Sequence, residues 1–122
     1  MKHKFFILED EEVLSSSKWF LEITESQMKE KVSLYDDIIV NNPLFFKGFK
    51  SFKVSFKNPG EGLDYCGVTI IPSSSMGDFQ KNLIKVKRQK NINDQLKKPI
   101  DDLIILTKKV AEKGLYLIHF GI

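Results

Sequence analysis

The sequence contains one cysteine, Cys66, two histidines and four prolines in 122 residues. A single cysteine closes no internal disulfide, and one cysteine with two distant histidines offers none of the spacings of a zinc site. Secreted domains of this size commonly depend on disulfides, so a reducing compartment, the cytoplasm, is expected. No stretch approaches the roughly 20 apolar residues of a membrane span. The first residues have no apolar run of the signal-peptide kind, and acids follow at once. Gly60, Gly62 and Gly67 lack the lysine–hydroxyl pair that would make them a phosphate loop. Repeats and low-complexity segments are absent. No catalytic residue, metal or cofactor is therefore expected, which turns attention to surface.

What is present describes a foldable unit. The length suits one domain, residues 1–122, which can bury about two-thirds of its unfolded surface. Hydrophobic residues make up 42% and charged residues 29%, which argues against disorder. Ten phenylalanines point to a thick core. Net charge is +3 but unevenly placed. Residues 1–64 hold eleven acids and nine lysines, whereas residues 65–122 hold five acids and ten bases. An acidic and a basic face are expected, which bears on partners rather than on fold.

Patterning predicts an α+β fold, with a mainly antiparallel sheet of about five strands and two or three helices packed on it. Residues 3–8 read as a strand that stops at an acidic run, and residues 19–23 as a second short strand. Met28, Val32, Tyr35, Ile38 and Ile39 fall at helical spacing, predicting a helix that starts at Thr24 or Ser26 and ends before Pro43. Phe52, Val54 and Phe56 alternate with Lys53, Ser55 and Lys57, predicting a strand within 45–57 with a bulge near Gly48. A Pro-Gly turn at 58–62 joins it to a strand at 63–71, as an antiparallel hairpin. A serine of 73–75 is expected to cap a helix over 76–86, with Asp78 in its first turn. Residues 89–95 read as loop. Residues 99–113 form the best helix, opened by Pro99, lined by Ile100, Leu103, Ile104, Val110 and Ala111, and closed by Gly114. Residues 115–120 are apolar on both parities, as in a central strand.

Candidate chemistry is sparse. His119 lies among apolar residues and reads as structural, since a catalytic or metal role needs partners at defined positions. Cys66 reads as a small buried hydrophobe within a strand. The adjacent pairs Asp36-Asp37 and Asp101-Asp102 point about 100° apart on a helix, so neither pair forms a shared carboxylate site. Lys85, Lys87, Arg88 and Lys90 lack interleaved aromatics, which weakens a nucleic-acid reading. Lys53 and Lys57 suit either an edge-protecting or a binding role.

Residues 62–75, Gly-Leu-Asp-Tyr-Cys-Gly-Val-Thr-Ile-Ile-Pro-Ser-Ser-Ser, and residues 115–122, Leu-Tyr-Leu-Ile-His-Phe-Gly-Ile, resemble the immunity proteins of contact-dependent growth inhibition and related polymorphic toxin systems. The resemblance covers about a fifth of the chain. Cys66 and Ser73 stand where an aromatic residue and a second proline are expected. It implies a non-enzymatic cytoplasmic inhibitor, a monomer on its own, that binds the toxic domain of a cognate effector, often a nuclease, at or beside its active site. Many such proteins are acidic, whereas this chain is mildly basic. The expected partner contacts are the clustered acids Glu9, Asp10, Glu11, Glu12, Asp36, Asp37, Glu61 and Asp64. Two other readings remain: a small basic nucleic-acid-binding module using 85–90 and 108–113, and a small hydrolase built on His119.

Overall fold

The structure is a computed structural model that describes residues 1–9 and 19–122. Its centre is one sheet of six strands: β1 (Lys2–Leu8), β2 (Lys29–Tyr35), β3 (Lys50–Lys53), β4 (Pro59–Glu61), β5 (Val68–Pro72) and β6 (Tyr116–Phe120). Their order is β2-β1-β6-β5-β3-β4, and every neighbouring pair runs antiparallel. Four α-helices accompany them among the described residues: α1 (Trp19–Glu22), α2 (Asp36–Val40), α3 (Met76–Lys87) and α4 (Asp94–Lys113). The α+β class and the antiparallel sheet agree with the sequence reading, with one strand and one helix more than expected. Among the described residues no helix is long and apolar enough to cross a membrane.

Both sheet faces are covered, which explains why β1 and β6 are apolar on both parities. Phe5 and Ile7 of β1 and Leu117 of β6 join Phe79 and Leu83 of α3 and Leu103 and Val110 of α4 in the larger core. Phe6 and Leu8 of β1 and Ile118 of β6 point the other way, into a smaller core with Trp19 and Ile70. In the larger core the Phe79 ring stacks on Phe5, with centroids 6.3 Å apart, and meets Phe49 at a tilt, 4.6 Å apart. Each such buried ring contributes roughly 1.5–3 kcal/mol. The β6 strand lies between β1 and β5, the central place its sequence predicted.

Several expectations are corrected. Residues 19–22 are helical, not extended, and the Trp19 indole N–H donates to the Val54 carbonyl at 2.6 Å. The helix predicted from 24–26 to 40 is mostly β2, followed only by the short α2. Pairing decides this: His3 lies opposite Leu34 and Phe5 opposite Val32, so Leu34, outside the helical spacing, is buried, while Tyr35, within it, is exposed. The predicted strand within 45–57 is reduced to β3. Gly48 at φ +85° precedes it as a turn, and Val54 at φ +68° ends it. Its expected wet face is also inverted in part, because Ser51 and Ser55 are buried while Phe52 is half-buried against the smaller core. The strand predicted over 63–71 begins only at Val68, and Cys66 is exposed in the preceding turn. Its pairing with β3 is antiparallel as expected, and β4 adds a further strand beyond β3.

The α3 helix lies where it was predicted, but Ser75 makes no side-chain cap. Its hydroxyl donates instead to the Lys50 carbonyl at 2.7 Å, tying α3 to β3. The α4 helix starts five residues before Pro99, because the Asn93 side chain caps it by accepting from the Leu96 N–H at 3.0 Å. Gly114 takes the left-handed closing position at φ +63°. Ala111, expected on the apolar face, is exposed.

The sheet edges are protected. A register shift in β2 places Glu30 at φ +54°, and its carboxylate pairs with Lys109 of α4. The other edge, β4, has three residues and starts at Pro59. Irregularity, charge and proline all discourage pairing with another chain.

Candidate functional site

The best-organised polar cluster lies at one end of the sheet, where β1 and β5 begin and β2 and β6 end. His3 and His119 face the same side as Phe5, and neither exposes any surface. Their rings stack at 5.0 Å with Nδ1 of His3 2.8 Å from Nε2 of His119. Nε2 of His3 lies 3.0 Å from the Asp36 carboxylate at the start of α2. The Tyr65 phenol lies near enough to the same carboxylate for the two to shift each other's titration. At the other end, Nδ1 of His119 lies 3.3 Å from the Thr69 hydroxyl, which also accepts from the Asp64 backbone N–H at 2.9 Å.

Donor and acceptor chemistry gives this chain a direction. A carboxylate only accepts, so Nε2 of His3 donates to Asp36. With both rings neutral, Nδ1 of His3 accepts from Nε2 of His119, and Nδ1 of His119 accepts from Thr69. Each ring nitrogen is then used once, and the Thr69 hydroxyl both donates and accepts. Among the described residues no buried side-chain nitrogen or oxygen lacks a partner. Burial pushes the His119 imidazole down to about 3, and the charge of a protonated His3 adds to the effect. The hydrogen bond from His3 chiefly holds the Asp36 carboxyl below the ordinary range, and Asp36 in turn raises the Tyr65 phenol.

The cluster binds distant segments together. Its members come from β1, α2, the 64–67 turn, β5 and β6. The Ile122 N–H donates to the Tyr65 carbonyl at 3.0 Å, and the Gly121 N–H to the Gly67 carbonyl at 2.8 Å. A side chain at Gly121 would collide with the Tyr65 carbonyl, so this close backbone approach requires glycine. The larger surface grooves are lined by other residues, and none reaches the histidine pair.

Asp36 is thus fixed from inside, and its chain neighbours point outward. Tyr35 is 49% exposed, with the Lys2 ammonium 4.7 Å from its ring centroid. Asp37 is exposed and has no ion-pair partner among the described residues. Tyr35, Asp37, Ile38, Ile92 and Leu96 line a groove of about 430 Å³ between α2 and the start of α4.

The other expected contacts are dispersed. Asp64 joins the cluster through its backbone, with its carboxylate folded against Gly67. Glu61 lies on β4, at the opposite edge of the sheet from β2, and accepts from the Gly48 N–H at 2.7 Å. Glu9 follows the far end of β1 and pairs with Lys29 at 3.5 Å. Asp10, Glu11 and Glu12 lie outside the described residues. Among the described residues no group of three or more His, Cys, Asp or Glu side chains is arranged to hold a metal ion.

Sequence reasoning missed the His3–His119 pair, Tyr65 and Thr69. One signal was available: each histidine shares parity with apolar residues in a strand, where a polar ring needs a buried partner. Comparison with known proteins identifies nothing similar: no family model, no curated protein and no solved structure matches the chain.

Proposed function

We propose that this protein is an immunity protein, which binds a cognate bacterial toxin domain and neutralises it by covering its active site or an adjacent surface. The observation that carries this reading is the Tyr35–Asp37 groove. A half-exposed aromatic ring, a carboxylate with no ion-pair partner among the described residues and an apolar floor are the anchors that dominate protein–protein affinity. They flank a residue locked by buried hydrogen bonds, so little conformational freedom is lost on binding. The acid favours a basic partner surface, as a nuclease domain presents to its substrate. The two segments that resemble immunity proteins, residues 62–75 and 115–122, meet at the Thr69–His119 contact, in the same polar cluster that holds Asp36, which supports the same reading.

The test starts from the genes flanking this one: where a neighbour encodes a large secreted protein, its C-terminal domain is co-expressed with this chain, followed by co-purification and growth rescue. Wild type forms a complex and restores growth. The double substitution Tyr35→Ala/Asp37→Lys weakens the complex by a hundredfold or more, the equivalent of about 3 kcal/mol. Unchanged affinity in that variant would exclude this surface, and absence of any complex would exclude the function. A small basic nucleic-acid-binding module is the alternative, since the basic half of the chain forms an exposed helical layer.

A further inference from the structure

The positive charge of residues 65–122 lies entirely within α3, α4 and their connection. The span 76–113 holds ten bases and five acids, and residues 65–75 and 114–122 hold no charged side chain. Between the two helices runs a groove of about 400 Å³. Its floor is Ile84 and Ile104, and its walls carry Lys87, Arg88, Lys97 and Lys108 with Asp101 as the one acid. Lys87 is held by Asp101 at 2.6 Å, and Lys97 is shared with Asp94 at 3.5 Å. Arg88 and Lys108 have no ion-pair partner among the described residues. Both are exposed.

We propose that the α3–α4 groove docks an acidic segment of a protein partner, with carboxylates on Arg88 and Lys108 and an apolar side chain between them on Ile84 and Ile104. Charge complementarity selects the sign of the occupant. Guanidinium takes a carboxylate through two parallel hydrogen bonds, and the lysine adds a point charge across the groove. The floor selects peptide over nucleic acid. Two isoleucines offer an aliphatic side chain a contact that a sugar–phosphate backbone does not use, and no aromatic residue lines the groove to stack a base. The Lys87–Asp101 pair leaves fewer free cations than a phosphate track needs. This groove shares no residue with the Tyr35–Asp37 groove, so the two surfaces succeed or fail independently.

The experiment is an amide NMR titration of the isotope-labelled full chain with a capped twelve-residue peptide of repeating Glu-Glu-Leu, run beside a fifteen-nucleotide oligothymidylate at the same ionic strength. The peptide is expected to shift the signals of Ile84, Arg88, Ile104 and Lys108. Arg88→Glu/Lys108→Glu should weaken it at least tenfold with an unchanged circular dichroism spectrum. Replacing the peptide leucines by serine should weaken it at least threefold. The proposal is overturned if the shifted signals lie elsewhere, if the charge reversal changes affinity less than twofold, or if the oligonucleotide binds these residues more tightly than the peptide.

Discussion

The sheet end and the helix groove use similar side chains to opposite effect. At the sheet end, His3, His119, Asp36, Tyr65 and Thr69 are consumed by one another, and the histidine rings are sealed from water. In the groove, Lys87 and Asp101 satisfy each other while Arg88 and Lys108 stay exposed without a partner among the described residues. Burial makes an unmatched polar group expensive, so the first region is complete and holds the fold. Exposure makes an unmatched charge cheap, so the second can leave charge available to a partner.

The strongest way to break that contrast is His119→Ala. It leaves Nδ1 of His3 and the Thr69 hydroxyl without their buried partner and opens a hole beside Phe5, at a cost of about 3–4 kcal/mol. Urea unfolding at pH 7.5 measures it, and a loss under 1 kcal/mol would show the network to be incidental to stability.

A pH series is the next largest effect. His119 has its folded pKa depressed to about 3, below the ordinary 6.5, so the unfolded chain takes up the proton first. Stability is therefore full above pH 6.5 and falls as pH drops toward 3, with a loss of about 2 kcal/mol at pH 5 relative to pH 8. Asp36, also depressed, adds loss in the same direction at lower pH. His119→Gln should flatten the limb between pH 6.5 and 5, and an unchanged limb would assign it to other groups.

The smallest effect sharpens the other side of the comparison. Arg88→Gln should change unfolding free energy by less than about 0.5 kcal/mol, because the cation is exposed and has no ion-pair partner among the described residues. A loss above 1 kcal/mol in the same urea experiment would mean that Arg88 serves the fold, and the groove would lose its free cation.

What could be read from the sequence follows the strength of local signals. Gly114 marks the end of α4 because a left-handed position excludes most side chains, and the two-sided apolar pattern of 115–120 gives β6 its central place. The β2 strand was hidden because Met28, Val32, Tyr35 and Ile39 satisfy a helical period by coincidence, and only pairing with β1 decides against it. Cys66 looked like a strand residue because its neighbours are β-branched, but β5 starts two residues later. The histidine pair was invisible for a deeper reason. It depends on the register that sets Phe5 opposite His119, a fact about two strands 116 residues apart at their histidines. Asp37 was named from charge alone, and its significance comes from Asp36, whose inward bonds no composition reveals.

The placement of β6 also governs how the molecule is made. A ribosome makes this strand after the other five described strands, yet it belongs in the middle, between β1 and β5. Until it arrives, β2-β1 and β5-β3-β4 are two separate ribbons, each with a bare hydrogen-bonding rim facing the gap. Closure across so long a stretch of chain is slow in entropic terms. Nascent chains are thus most exposed to mispairing just before synthesis reaches β6, when the two open rims most resemble each other's missing neighbour.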